Sequence, residues 1–179
     1  NKVSNAVELR FDSAAWDGLS VPVDVRLLPA ATSGATVAWV AASVAEVGRE
    51  VGEQFKPQAA TREITLELPA TSSTAPAVAM ADRDRVAQVL ANYLSNALRH
   101  APDGSRITVA VGRSRGGIRA SVADEGPGLE RDQLEAVFER FYRVDTARSR
   151  AAGGSGIGLA IGRAVTEAMG GSAWAESDG

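Results

Sequence analysis

Apolar and polar positions recur along this chain at two distinct periods. A period of two runs through SRITVAVGRSRGGIRASVAD (105–124), which predicts a β-hairpin turning at Gly116 and Gly117. REITLELP (62–69) alternates in the same way and predicts a half-buried strand, APAVAM (75–80) a second short one, and GGSAWAES (170–177) the start of another. The helical period marks three further segments. Apolar residues at helical spacing from Val37 predict an amphipathic helix that ends near Pro57. In ADRDRVAQVLANYLSNALRHAPDG, Val86, Val89, Leu90, Tyr93, Leu94 and Ala97 form one stripe. Asp82 supplies an N-cap and Pro102 with Gly104 a stop, giving a helix of about five turns. A last helix is predicted from about Gly156 to Met169. Residues 1–36, broken by Pro22, Pro29 and Gly34, read as an arm or linker holding one strand within VPVDVRLL (21–28), ahead of a domain over 37–179. The order of elements predicts an α/β fold, a two-layer sandwich with a mostly antiparallel mixed sheet covered on one face by helices.

Composition narrows what such a fold does. With 45% apolar and 23% charged residues, the 179-residue chain has an ordinary globular make-up and enough length for a real core. A formal charge of −3 lacks the basic footprint of nucleic-acid binders. The absence of cysteine excludes disulfides and thiolate metal sites and agrees with a reducing compartment. The apolar run from Val37 is interrupted by Glu46, Arg49, Glu50 and Glu53 and is too short for a bilayer, and no signal-peptide pattern opens the chain. A cytoplasmic domain without direct membrane contact is the expectation. Asn1 stands where a complete chain would start with Met, so the sequence reads as an excerpt.

Four segments carry candidate chemistry. On the helix after Asp82, Gln88, Asn92 and Asn96 fall at i, i+4 and i+8 with Arg99 beyond them, and Asn is a poor helix former for a merely solvated face. An amide oxygen on Asn96 suits a hard cation that keeps water and phosphate oxygens as its other ligands. DEGPG (124–128) places Asp124 at a strand end beside Gly126 and Gly128; taken alone it is a plain turn, and a carboxylate there also suits a purine's exocyclic amine. GGSGIGLAI (153–161) opens a helix whose free N–H groups attract anions. Its spacing fits neither a dinucleotide fingerprint nor a P-loop, and Lys2 and Lys56 lie outside every pattern. Between the glycine clusters, VFERFYRVDTARSRAA (137–152) offers Arg140, Arg143, Arg148 and Arg150 on a segment anchored by Phe138, Phe141 and Tyr142, either a solvated basic loop or a flap over a nucleotide.

In this order the segments resemble the catalytic ATP-binding domain of bacterial sensor histidine kinases, the Bergerat fold shared with gyrase, Hsp90 and MutL proteins. QVLANYLSNALRHAP resembles the N box, DEGPGL the G1 box, VFERFYR the F box, GGSGIGLAI the G2 box, and the likeness spans about residues 37–179. The resemblance implies ATP and Mg2+ as cofactors, with Asn96 ligating the metal, Asn92 beside it, and Arg99 and His100 near the phosphates. It implies that Asp124 accepts from the adenine amino group, with Gly126, Gly128 and Leu129 around the ring. Residues about 141–153 would form the lid, with Tyr142 in the site and Arg143 on the γ-phosphate. Gly154, Ser155, Gly156, Ile157, Gly158 and Leu159 would receive the phosphates.

Two departures matter. The hydrolysing branches of the superfamily carry Glu where Asn92 stands, and an amide is no general base. Phosphoryl transfer to a neutral imidazole is therefore expected, with slow hydrolysis. The lone histidine, His100, lacks the acidic neighbour of a family phosphoacceptor and sits on the helix that builds the site. The acceptor is expected on a separate dimerisation domain or partner kinase subunit, from which the phosphoryl group passes to a response regulator. The chain also stops at Gly179, short of the family's final strand. The alternatives are a related Ser/Thr kinase of the anti-sigma type and a non-catalytic nucleotide-sensing module.

Overall fold

The computed structural model describes residues 5–12, 40–69, 78–114, 117–143 and 155–178. In chain order they form β1 (Asn5–Asp12), β2 (Val40–Ser43), α1 (Val44–Ala60), β3 (Thr65–Glu67), β4 (Val78–Ala81) and α2 (Arg83–His100). There follow β5 (Arg106–Ser114), β6 (Gly117–Asp124), α3 (Gln133–Ala136), α4 (Gly158–Ala168) and β7 (Ser172–Ser177). Five strands make one sheet in the order β3-β5-β6-β1-β7, and β2 pairs with β4 in a separate ribbon. Only β3 and β5 run parallel; the other ladders are antiparallel. This is the expected mixed α/β sandwich, with α1, α2 and α4 packed on the sheet.

The core follows the helical stripe. Val86, Val89, Leu90, Tyr93, Leu94 and Ala97 are all buried on α2, as is Leu98. They meet the inward residues of the hairpin, Ile107, Val109, Ile118, Ala120 and Val122. Each fully buried Leu of that stripe stabilises the fold by roughly 1.5–3 kcal/mol. Asp82 caps α2 as its position predicts, accepting from the N–H groups of Asp84 (3.0 Å) and Arg85 (3.1 Å).

Three boundaries differ from the reading of the sequence. The first helix starts at Val44 rather than Val37, because Val40–Ser43 pairs with β4 and the Ser43 side chain accepts from the Glu46 N–H at the helix start. It also continues through Pro57 to Ala60, where Ala59 and Ala60 favour one more turn. A strand that the sequence reading did not expect falls at Asn5–Asp12, and it lies inside the sheet between β6 and β7. Its alternation, Val7, Leu9 and Phe11 against Glu8, Arg10 and Asp12, matches the pleat, and Val7, Leu9 and Phe11 stand in register with Val122, Ala120 and Ile118. The VPVDVRLL stretch, Val37 and the hairpin's Gly116 lie outside the described residues.

Candidate active site

The last three turns of α2 carry Asn92, Asn96, Arg99 and His100, while the apolar stripe of the same helix faces the core. Asn92 and Asn96 are half-buried. Gln88 is exposed and accepts from Arg85 Nη1 at 2.9 Å, so it belongs to the helix surface and not to the amide pair.

α4 comes close to α2 on the side of Asn92. A Cβ placed on Gly158 would lie 3.9 Å from Asn92 Cβ, and one on Gly162 would lie 2.4 Å from Tyr93 Cε1. The second distance is a clash that only glycine avoids, so Gly162 sets how near the two helices pass. Tyr93 Oη is buried without a hydrogen-bond partner among the described residues, and desolvation pushes its pKa well above the ordinary phenol value. The N-cap residue of α4, Ile157, offers no side-chain cap, and no acidic residue stands in its first turn. The helix thus begins with N–H groups suited to an anion. Ser155, Gly156, Ile157, Gly158 and Leu159 surround this start, and Gly154 lies outside the described residues.

At the other end of α2, β6 ends in Asp124. Its Oδ1 accepts the Gly126 N–H at 2.8 Å, which closes the turn that the DEGPG spelling predicts. Gly128 takes φ 88, and Leu129 N–H donates to Ser177 Oγ at 3.0 Å, tying this loop to β7. His100 and Asp124 are neighbours electrostatically. Desolvation and then the Arg99 guanidinium push the His100 pKa below the usual imidazole value, and the Asp124 carboxylate pulls it partly back.

The aromatic segment joins this arrangement through α4. Arg163 donates to Glu135 (2.5 Å) and Glu167 (3.0 Å), hydrogen bonds that raise its pKa, and its guanidinium lies 5.1 Å from the centre of the buried Phe138 ring. Phe141 N–H donates to Gly156 O at 2.9 Å. Both of these residues have φ 66, and a Cβ on Gly156 would lie 3.0 Å from Tyr142 O. Tyr142 and Arg143 are half-buried beside this junction, and the Phe141 ring is 70% exposed. Arg148, Arg150 and the rest of 144–154 lie outside the described residues.

The structure therefore brings Asn92 against Gly158 and Tyr142 against Gly156, with His100 within electrostatic reach of Asp124. Sequence reasoning missed Ser177, Glu135 and Arg163, which fasten the loops. The i, i+4 spacing of Arg163 and Glu167 was the one local signal available. Among the described residues no group of three His, Asp or Glu could hold a metal alone. A pair of amides one turn apart beside an uncapped helix start fits a hard cation only when phosphate oxygens and water complete its shell. Among the described residues, no helix is long and apolar enough to cross a membrane.

Residues 81–179 match the family described as histidine kinase-, DNA gyrase B-, and HSP90-like ATPase. The sensor histidine kinase WalK of Bacillus subtilis is 46% identical over 98 residues, 54% of this chain and 16% of WalK. The signal transduction histidine-protein kinase BaeS of Escherichia coli is 38% identical over 120 residues, 67% of this chain and 25% of BaeS. The chain thus spans a quarter or less of the length of these relatives. Among solved structures, full-length ShkA in complex with AMPPNP superposes with a TM-score of 0.64 at 26% identity, covering 81% of this chain and 32% of ShkA. The mycobacterial sensor histidine kinase MprB, at 24% identity and a TM-score of 0.62, shares the fold over 78% of this chain and 95% of its own.

Proposed function

The chain belongs to the histidine kinase-, DNA gyrase B-, and HSP90-like ATPase family, and we propose that it is the catalytic ATP-binding domain of a sensor histidine kinase. It transfers the γ-phosphoryl group of ATP to a histidine on a separate dimerisation domain or partner subunit, which then serves a response regulator. The observation that carries the reading is the approach of the uncapped start of α4 to Asn92, on the helix whose last residue, His100, feels the charge of Asp124. One ligand with a base at one end and phosphates at the other satisfies both the helix start and Asp124.

In this reading Asp124 accepts from the adenine amino group while its bond to the Gly126 N–H keeps the carboxylate oriented. Gly128 and Leu129 leave room for a flat ring. The first N–H groups of α4, from Gly156 to Leu159, receive phosphate oxygens, and Arg99 and Arg143 add positive charge around them. Asn96 holds Mg2+, with Asn92 beside it. When bound, the metal neutralises charge on the phosphates. The terminal P–O bond breaks, ADP departs, and a P–N bond forms on the acceptor imidazole, which then loses its proton. The domain's task is positioning and charge stabilisation.

No carboxylate stands where Asn92 does, so the domain has no base there to draw a proton from water. His100 is unsuited as acceptor, because it lacks the acidic sequence neighbour of a family phosphoacceptor and sits on the helix that builds the site. The test is incubation of the chain with labelled ATP, Mg2+ and a dimerisation fragment bearing an acceptor histidine. Acid-labile label on the fragment is the expected result. Acid-stable label on a protein substrate, or nucleotide binding with no transfer at all, overturns the reading.

A further inference from the structure

The turn between α1 and β3 grips the far end of α2. Arg62 stands in that turn with its side chain 34% exposed. Its Nη1 donates to Leu98 O and its Nη2 to Ala101 O at 2.9 Å, while its Nε donates to Asp103 Oδ1 at 2.7 Å. Leu98 is in the last turn of α2, and Ala101 is its C-cap. The last carbonyls of a helix have no partner within the helix. Here a single planar fork takes two of them, and it places a positive charge where the helix dipole favours one.

The main chain holds the same two loops together. Gly104 N–H donates to Arg62 O at 3.0 Å, and Thr65 N–H donates to Ser105 O at 2.8 Å. Next to Arg62, Glu63 takes φ 54, a left-handed conformation that non-glycine residues adopt only where the surroundings demand it. Ile64 N–H returns to Ala59 O at 3.0 Å and closes the turn. The Asp103 carboxylate, 74% exposed, lies at the edge of this arrangement and adds little.

We propose that Arg62 is a positioning residue for the amide of the nucleotide site that would hold the metal. It fixes the last turn of α2 and thereby the depth and rotation at which Asn96 and Arg99 meet the ligand. The inference rests on the reading of the site given above. It assigns a role to a residue outside the N, G1, F and G2 segments, on an element that contributes no ligand contact of its own.

The experiment measures, by titration calorimetry on this chain, the affinity for a non-hydrolysable ATP analogue with Mg2+ and for ADP in excess chelator. The variants are Arg62→Met, Arg62→Lys, Asp103→Asn and Asn96→Ala. Arg62→Met is expected to weaken the Mg2+-dependent affinity about tenfold, the size of effect seen when a residue supporting a ligand is lost. Metal-free ADP should change less than twofold, because Asp124 is oriented by the Gly126 N–H and not by α2. Arg62→Lys keeps charge and stem but loses the fork, so it shows the same split at smaller amplitude and guards against a misfolded Met variant. Asp103→Asn behaves like the parent. Equal weakening of both ligands, or none, in the Arg62 variants overturns the inference, since a purely structural role does not discriminate between them. Loss of the Mg2+-dependent increment in Asn96→Ala, with the Arg62 variants unchanged, defeats the inference alone. An intact increment in Asn96→Ala defeats the reading of the site, and the inference with it.

Discussion

The two ends of the proposed nucleotide site are fastened in different ways. At the base end, Asp124, Glu125 and Leu129 are each tied by a hydrogen bond: Asp124 Oδ1 to the Gly126 N–H, Glu125 Oε2 to the Arg106 N–H at 3.2 Å, and the Leu129 N–H to Ser177 Oγ. These bonds draw on β5, β6 and β7, so the loop is braced by the sheet itself. At the phosphate end, among the described residues, the aromatic segment meets the start of α4 through a backbone bond, Phe141 N–H to Gly156 O, between two left-handed residues. A base of fixed shape suits a prepaid, rigid seat. Phosphates that must enter, react and leave suit a junction that can open and close.

The strongest way to break this contrast is to remove the rigid seat. Asp124→Ala is expected to weaken ATP and ADP alike by about a hundredfold, on the scale of a lost hydrogen bond to a charged group, as read by calorimetry. A much larger loss for ATP than for ADP would place Asp124 at the wrong end. Next in size is Gly156→Ala, where a side chain must take φ 66 with its Cβ about 3 Å from Tyr142 O. Strain of ~1–3 kcal/mol should fall on the lid junction, lowering phosphoryl transfer about tenfold or more and sparing ADP affinity. Equal loss of ADP binding would mean the two ends are not independent.

Phe141→Gly works in the other direction. It relieves the left-handed strain at a ring that is 70% exposed, and should raise stability by ~1 kcal/mol in chemical denaturation. A fall in stability would show that the ring itself is packed in solution. The smallest expected effect is that of pH. His100 holds its neutral form more firmly in the folded chain than in the unfolded one, whose imidazole titrates near 6.5. Below that value the unfolded chain binds the proton first. Stability should therefore decline as pH falls through 6.5 and level off below the depressed folded value, and His100→Gln should flatten that slope.

What was legible in the sequence was the periodic part. The α2 stripe, its Asp82 cap and the 105–124 hairpin follow from local rules. Asn92 lies against Gly158 although the two are far apart in sequence, and only the resemblance to a family joined them beforehand. The alternation of Val7, Leu9 and Phe11 was passed over in favour of VPVDVRLL, and the place of that strand between β6 and β7 was not legible, because pairing partners leave no local mark. The same holds for Arg62, whose three acceptors lie on another loop, and for the left-handed Phe141, a residue type that gives no warning of that conformation. Boundaries failed where two rules competed, as at Pro57, where helix-forming alanines outlasted the breaker.

The position of β1 also bears on how the chain folds. Its two neighbours in the sheet, β6 and β7, come from the far half of the sequence. Every ladder bond that β1 makes therefore closes a very long loop. Such closure adds only ~0.6 kcal/mol for each doubling of length, but it slows the search. The hairpin β5–β6 and the helices around it can form from local contacts while this strand waits. During synthesis β1 emerges before both of its partners, and until it is seated β6 and β7 each present an open edge to any other extended chain nearby.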